Sequence, residues 1–212
     1  IDAADFDASL TVTGGKAGTT LDMDATNITS DIVNLSAVTS NILFAAGNDT
    51  QTITGGAGDD KFTMTTFLNH QDSIDGGAGN DRVVIDPAAN ITQAPTLTNI
   101  EELEIGATAT VSVVLTGQTV PEVVLQGQNA VTNVVTLTNA AGITNILADG
   151  GAANSDDDFN GLTFSGTGYA ATTDALTFTM VADTDTVSTG AMTLTGIEDL
   201  TIAVTGSDSD FD

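Results

Sequence analysis

The sequence predicts an all-β fold, a right-handed parallel β-roll or β-helix solenoid whose glycine-rich turns bind calcium. Residues 55–63 (GGAGDDKFT) and 76–84 (GGAGNDRVV) each fill every fixed position of G-G-x-G-x-D-x-U-x, the calcium-binding repeat of parallel β-rolls. Elsewhere, short runs rich in Thr, Val and Ile alternate with Gly and Asn, and no long stretch keeps the 3.6-residue period of a helix. Two complete repeats so close together argue against a chance match.

The first zone, residues 1–44, is expected to form strand-rich turns of the solenoid. Three short segments of this zone have the composition of strands and are bounded by Gly, Asn, Asp or Ser. These candidate strands are residues 10–13, 20–23 and 31–35.

The second zone, residues 45–86, is expected to be the calcium-binding roll. Glycine lets the backbone turn tightly through positive φ and point its carbonyls inward without a Cβ in the way. Calcium takes roughly six to eight oxygens, which exposed carbonyls and one aspartate per turn can supply. The apolar residue at position eight, Phe62 or Val83, is expected in the core. The candidate metal-binding residues of the two repeats are Gly55, Gly56, Gly58, Asp60, Gly76, Gly77, Gly79 and Asp81.

The spacing of the repeats predicts how the turns are arranged. The repeats begin at Gly55 and Gly76, and two nonapeptides make one coil of about 18 residues in this repeat class. The two glycine-rich turns should therefore stack on the same side, one coil apart, with a small insertion between them. A calcium ion is expected between them, held by the carboxylates of Asp60 and Asp81 and by glycine carbonyls.

Weaker turns are expected on the opposite side of the roll. Residues 47–49 (GND) keep the G-x-D half of the repeat, and residues 70–74 (HQDSI) keep the D-x-U half. The candidate ligands on this side are Asn48, Asp49 and Asp72, and the two aspartates can share a second ion. Asp59 and Asp75 are either further ligands or residues that stabilise the turns, and the sequence leaves both alternatives open.

The third zone, residues 87–212, is expected to continue as β-rungs. Its strand-like runs, residues 111–116, 123–126, 134–138 and 143–147, end in turn residues at nearly even intervals, which is typical of stacked rungs and also of a β-sandwich. A self-similarity favours the solenoid, because residues 97–105 (LTNIEELEI) return as residues 194–202 (LTGIEDLTI). No Pro- or Ser-rich linker separates the zones, so one continuous body is expected.

An acidic loop at residues 154–160 interrupts this third zone. Asp156, Asp158 and Asn160 fit the opening D-x-[DN]-x-[DN] of an EF-hand calcium loop. Position twelve, where a bidentate Glu belongs, is Thr167, and no helix pattern flanks the loop. The segment is therefore not an EF-hand. It is either a calcium loop that borrows a carboxylate from elsewhere or an exposed acidic turn.

The charge of the chain excludes several kinds of partner. The 212 residues include 3 basic and 29 acidic side chains, a formal net charge of -26. Nucleic-acid binding needs clustered Lys and Arg, so we expect no nucleic-acid partner. The charge also argues against anionic membranes, and no apolar run is long enough to span a bilayer, so no membrane insertion is expected. Divalent cations would relieve the self-repulsion of so acidic a chain.

The residues of common catalytic sites are scarce, and we predict that the chain is not an enzyme. His70 is the single histidine, which excludes a multi-histidine zinc site and leaves a Ser-His-Asp triad only inside a degenerate turn. There is no Cys, and neither glycine run ends in the Lys-Ser/Thr of a phosphate-binding loop. Paired carboxylates for glycoside chemistry remain open, although sugar platforms are aromatic and the chain has one Tyr and no Trp.

The motifs at residues 55–63 and 76–84 resemble those of the RTX (repeats-in-toxin) family. The segment 55–85, the Leu-Thr-x-Ile-Glu-x-Leu units and the Thr/Ala/Val-rich rungs look like the lattice-forming part of Gram-negative surface-layer (S-layer) proteins. The resemblance implies type I secretion, folding outside the cell once calcium is abundant, and calcium-dependent self-assembly at the cell surface. Only two repeats are complete, against longer arrays in toxins and adhesins, which favours several calcium ions used as structural staples.

Three functions follow from these expectations. The first is a structural, calcium-binding segment of a secreted surface-layer protein, whose partner is another copy of itself and whose parent chain can reach a cell-surface polysaccharide through other parts. The second is a module of a large type I-secreted adhesin that calcium makes rigid. The third, least favoured, is an extracellular polysaccharide-active enzyme that carries an RTX module.

Overall fold

The computed structural model describes residues 9–11, 20–24, 31–47, 50–66, 68–87, 89–106, 110–126, 134–138, 142–149, 161–165, 175–182 and 191–206. These residues form 18 short β-strands and no helix. A helix with the length and apolarity to cross a bilayer is accordingly absent from this part of the chain.

The strands are short and follow one another at short intervals. They are β1 (Ser9–Thr11), β2 (Thr20–Asp24), β3 (Asp31–Asn34), β4 (Asn41–Ala45), β5 (Gln51–Thr54), β6 (Lys61–Thr65), β7 (Ser73–Asp75), β8 (Arg82–Ile85), β9 (Thr96–Thr98), β10 (Glu102–Gly106), β11 (Val111–Val114), β12 (Glu122–Gln126), β13 (Val134–Thr138), β14 (Asn145–Asp149), β15 (Gly161–Ser165), β16 (Ala175–Ala182), β17 (Ala191–Thr195) and β18 (Asp199–Gly206).

The internal contacts divide the chain into two compact units. Unit 1 comprises Ile1–Ile85 and Pro95–Leu103, and unit 2 comprises Asp86–Ala94 and Glu104–Asp212. Strand β10 contains residues of both. The three zones expected from the sequence, and their continuity as one body, stay predictions.

Unit 1 is wound as a parallel β-solenoid. Its odd-numbered strands hydrogen-bond in the order β1-β3-β5-β7-β9, and its even-numbered strands β2, β4, β6 and β8 pair in sequence in a second sheet. Each strand therefore pairs with the next but one, as expected when the chain alternates between two sheets on every coil. Phe44 pairs with Phe62 on the following coil, and Phe62 pairs with Val83 on the coil after that.

Unit 2 repeats this winding. Strands β11, β13, β15 and β17 form one parallel sheet, and β12, β14, β16 and β18 pair in sequence in another. Its coils are longer, as the coil from Asn145 in β14 to its partner Thr177 in β16 illustrates. The fold class expected from the sequence, a parallel β-roll or β-helix, is confirmed.

The core of each unit comes from alternate residues of the strands. In β10 and β13 half-buried and buried residues alternate without exception, because successive side chains of a strand point to opposite faces. In unit 1 the rings of Phe44 and Phe62 pack 6.5 Å apart, centroid to centroid, on successive coils. In unit 2, Phe164 and Phe178 are fully buried.

The duplicated segment forms the same structural step twice. Residues 97–105 and 194–202 each contain the end of one strand, a turn and the next strand. The equivalent turn residues Asn99 (φ 49°) and Gly196 (φ 84°) both have left-handed backbone conformations, which only Gly and a few residues such as Asn adopt readily. The duplicated sequence therefore folds into a left-handed turn in both places.

Candidate metal centre

The glycine-rich turn of each repeat joins an odd-numbered strand to the next even-numbered strand, and the two turns lie directly one above the other. The amide of Gly55 donates to the carbonyl of Asp75 (2.7 Å), and that of Ala78 donates to the carbonyl of Gly56 (3.0 Å). The amide of Arg82 donates to the carbonyl of Asp60 (2.8 Å). The expected stacking on one side, one coil apart, is therefore confirmed.

A third turn, residues 99–101, continues the stack although it lacks the repeat motif. The amide of Gly76 donates to the carbonyl of Thr98 (2.9 Å), and the amide of Glu101 donates to the carbonyl of Asp81 (3.0 Å). In register, Asn99 therefore follows Gly55 and Gly76, and Glu101 follows Asp60 and Asp81.

The apolar residue at position eight anchors each turn to the core, as expected. Phe62 and Val83 are both fully buried, and so is Ile74 after the half-repeat on the opposite side. Burial of these side chains fixes the start of each strand, and with it the position of the aspartate two residues earlier.

The glycines are needed chiefly because the stacked backbones approach closely. A Cβ on Gly55 would stand 2.1 Å from the carbonyl oxygen of Gly76, and a Cβ on Gly76 would stand 2.1 Å from the carbonyl oxygen of Asn99. Among the motif glycines, positive φ occurs only at Gly77 (99°) and Gly79 (135°). Of the two reasons expected for these glycines, freedom from a Cβ clash is therefore confirmed, whereas positive φ applies only to Gly77 and Gly79.

The acidic residue that precedes each strand accepts a hydrogen bond from the coil before it. Asp60 Oδ1 accepts the amide of Ile42 (2.8 Å), Asp81 Oδ1 accepts the amide of Asp60 (2.8 Å), and Glu101 Oε2 accepts the amide of Asp81 (2.7 Å). One register position on four successive coils is therefore occupied by Ile42, Asp60, Asp81 and Glu101. The acids thus satisfy amides that would otherwise be buried at the turns without a partner.

On the opposite side, Asp72 follows the same rule. Its Oδ1 accepts the amide of Gln51 from the preceding coil and its Oδ2 accepts the amide of Asn69, both at 2.8 Å. Asp72 is fully buried, so its carboxylate holds two turns together. Whether it also shares an ion with Asp49 stays a prediction, because Asn48 and Asp49 lie outside the described residues.

The second oxygen of the aspartate distinguishes the two complete repeats. Asp60 Oδ2 accepts the amide of Gly56 (2.8 Å), whereas Asp81 Oδ2 is buried and has no hydrogen-bond partner. The amide of Gly77, which corresponds to Gly56, donates instead to Asp75 Oδ1 (3.2 Å). In one copy of the motif both carboxylate oxygens therefore accept a hydrogen bond, and in the other one oxygen has no hydrogen-bond partner.

Burial and neighbouring carboxylates disfavour charge on these acids. Burial raises the pKa of Asp60 and of Asp72. Burial, together with the negative charges of Asp60, Glu101 and Asp59, raises the pKa of Asp81 to about 6, against the opposing effect of the hydrogen bond from the Asp60 amide. A buried carboxylate without a counter-ion is costly, so this group of acids would gain from a cation.

The donor chemistry fits calcium. The atoms gathered at the stacked turns are carboxylate and carbonyl oxygens, the ligands that this hard ion prefers. No three acidic, His or Cys side chains converge as a metal cluster among the described residues, so two carboxylates at most would share an ion, with carbonyls and water completing the shell.

The remaining candidates have mixed outcomes. Asp59 and Asp75 stabilise turns: Asp59 Oδ1 accepts the amide of Asn80 (2.9 Å), and Asp75 Oδ1 accepts Asn99 Nδ2 (2.8 Å). Asp156, Asp158 and Asn160 lie outside the described residues, and their calcium role stays a prediction.

Sequence reasoning missed Asn99 and Glu101 as candidate ligands because neither belongs to the glycine-rich calcium repeat. The signal that would have found them is spacing, since Glu101 follows Asp81 at nearly the interval that separates Asp81 from Asp60, and a strand begins immediately after it.

The chain matches no protein-family model, no curated protein and no solved structure.

Substitution of Gly55 by Ala should destabilise unit 1 strongly, because the new methyl group meets the main-chain oxygen of Gly76, which cannot move without breaking the stack. Gly106→Ala is the control, since the three atoms nearest to its Cβ would all belong to the side chain of Asp86, at 3.3 Å or more. Urea unfolding followed by circular dichroism should show a loss of more than about 2 kcal/mol for Gly55→Ala and less than about 1 kcal/mol for Gly106→Ala. Equal losses would contradict the close-packing role.

In metal-free protein, stability should fall as the pH rises from about 4 to about 6. The folded state holds the Asp81 proton more tightly than the unfolded chain does. The stabilisation of the fold by this proton is therefore complete below the ordinary pKa of 3.8 and is lost above about 6. The shift corresponds to roughly 3 kcal/mol. Asp81→Asn should flatten the pH profile of urea unfolding over this interval, and an unchanged slope in that variant would contradict the assignment.

Proposed function

We propose that this chain is a structural, calcium-binding segment of a secreted bacterial surface-layer protein that assembles with copies of itself. The observation that supports the proposal is the stack of glycine-rich turns in unit 1, in which buried Asp60 and Asp81 lie on successive coils and Asp81 Oδ2 has no hydrogen-bond partner. An oxygen of this kind is satisfied by a cation at little cost to the surrounding hydrogen bonds.

The residues that would hold calcium are the two buried aspartates and the carbonyls of the glycine positions. The ion supplies positive charge where Asp59, Asp60, Asp81 and Glu101 otherwise repel one another. Asp60 and Asp81 each keep one oxygen on an amide of the preceding coil, which holds the carboxylates in place for a ligand. The close approach at Gly55 brings the Gly76 carbonyl oxygen near Asp60 Oδ2.

This chemistry couples folding to the surroundings. At low free calcium, as inside a cell, mutual repulsion of the acids opposes the compact state, which suits passage through a type I secretion channel. Extracellular modules bind calcium at roughly 10⁻⁴–10⁻³ M, so calcium outside the cell would drive the turns to stack.

Self-assembly would depend on the same charge balance. With 29 acidic and 3 basic side chains, faces of two copies repel one another unless cations lie between them. Calcium bridges between copies would therefore make assembly depend on the calcium concentration. The parent chain would reach a cell-surface polysaccharide through other segments.

Calcium should raise the melting temperature, and Asp81→Asn should remove most of that gain. At about 100 times the dissociation constant one site adds about 2.7 kcal/mol, or about 5–10 °C for a chain of this size. In chelator at pH 7, Asp81→Asn should melt above the wild type, because a neutral amide replaces a buried charge and still accepts the Asp60 amide. Asp24→Asn, an exposed acid of the same unit, is the control. An unchanged melting temperature of the wild type in calcium and in chelator would defeat calcium-driven folding.

Calcium at about 1 mM should convert the chain into large particles that chelator dissolves. Light scattering would follow particle size, with sodium chloride of equal ionic strength as the control for simple screening. A monodisperse monomer at that calcium concentration would contradict the lattice role.

A further inference from the structure

The two copies of the repeat offer unequal oxygen pairs to a cation. Asp60 Oδ2 and the carbonyl oxygen of Gly76 lie 2.8 and 2.1 Å from the position a Cβ of Gly55 would take. One coil further on, Asp81 Oδ2 and the carbonyl oxygen of Asn99 lie 2.5 and 2.1 Å from the position a Cβ of Gly76 would take. Each glycine thus brings together one carboxylate oxygen and one carbonyl oxygen of the following coil.

Only the second pair contains an oxygen without a partner. Asp60 Oδ2 already accepts the amide of Gly56, whereas Asp81 Oδ2 accepts nothing although Asp81 is only 1% exposed. Oδ2 of the motif aspartate therefore accepts a hydrogen bond in the first repeat and has no partner in the second.

The difference arises in the third turn. Asn99 Nδ2 donates to Asp75 Oδ1, which also accepts the amide of Gly77. The Gly77 amide corresponds to the Gly56 amide of the first repeat, which donates to Asp60 Oδ2. The positive φ of Gly77 (99°) and of Asn99 (49°) accompanies the change in both turns.

Glu101 places a second carboxylate beside Asp81. Its Oε2 accepts the Asp81 amide at 2.7 Å, and it is half-buried. A glutamate is one methylene longer than the aspartate of the motif, so its second oxygen can turn towards an ion without loss of this hydrogen bond.

We propose that the tightest calcium site lies between the turn 76–81 and the third turn 99–101, with Asp81 Oδ2, the Asn99 carbonyl and Glu101 as ligands. This position is one coil beyond the ion expected between Asp60 and Asp81, and it recruits two residues that lie outside the repeat motif. The inference rests on the proposed calcium-binding function and specifies where that function resides.

Glu101→Gln tests the site, with Glu102→Gln as the matched control. The glutamine still accepts the Asp81 amide, so the turn keeps its hydrogen bond while the ligand loses its charge. Glu102 is adjacent in sequence and pairs with Arg82 (3.3 Å), so its substitution removes the same charge away from the site. Calorimetric titration with calcium chloride should show the tightest site weakened at least about tenfold in Glu101→Gln and by less than about twofold in Glu102→Gln.

The outcomes separate this proposal from the proposed function. A wild type that binds no calcium at about 1 mM defeats both. If the wild type binds calcium but Glu101→Gln and Glu102→Gln bind it with equal affinity, the third-turn site is overturned and calcium binding stands. Anomalous scattering from a crystal grown in calcium gives a second readout: a peak beside Asn99 supports the site, and a peak confined to the space between Asp60 and Asp81 overturns it.

Discussion

The structure of unit 1 depends on the hydrogen bond that each acid makes to the amide of the preceding coil. Neighbouring parallel strands pair most of their backbone amides and carbonyls with one another. A solenoid must also satisfy the amides at its turns, where these inter-strand hydrogen bonds end. Asp60, Asp81 and Glu101 do this on successive coils, and Asp72 does it on the opposite side. The acids are therefore structural before any ion is considered.

This arrangement brings an electrostatic cost. Carboxylates at one register position of a stack lie one coil apart, and burial removes the water that would screen them. Hydrogen bonds from backbone amides offset part of the cost at Asp60, which uses both oxygens, and less at Asp81, which uses one. The unpaired oxygen of Asp81 therefore lowers the stability of the metal-free fold and at the same time favours binding of a cation.

Glycine is required by the same stacking. The turns approach so closely that a methyl group on Gly55 or Gly76 would overlap a main-chain oxygen of the next coil. Gly117 in unit 2 is different: a Cβ there would meet nothing within 4 Å, and its positive φ alone explains the glycine. Glycine therefore meets two separate requirements, close approach of backbones at some positions and a left-handed backbone conformation at others.

The sequence by itself determined the class of fold, the stacking of the two repeats, the burial of Phe62 and Val83 and the repeated turn at residues 99 and 196, because these follow from local patterns and fixed spacings. It also placed strands such as β13 correctly, while β14 begins later than expected, since the Thr144 amide still serves the turn by donating to the Pro121 carbonyl. Only the tertiary structure decided which carboxylate oxygens accept hydrogen bonds, which motif glycines have positive φ, and that Asn99 and Glu101 complete the stack. Their partners lie on another coil, far away in sequence, and no local pattern encodes which amide a given oxygen will meet.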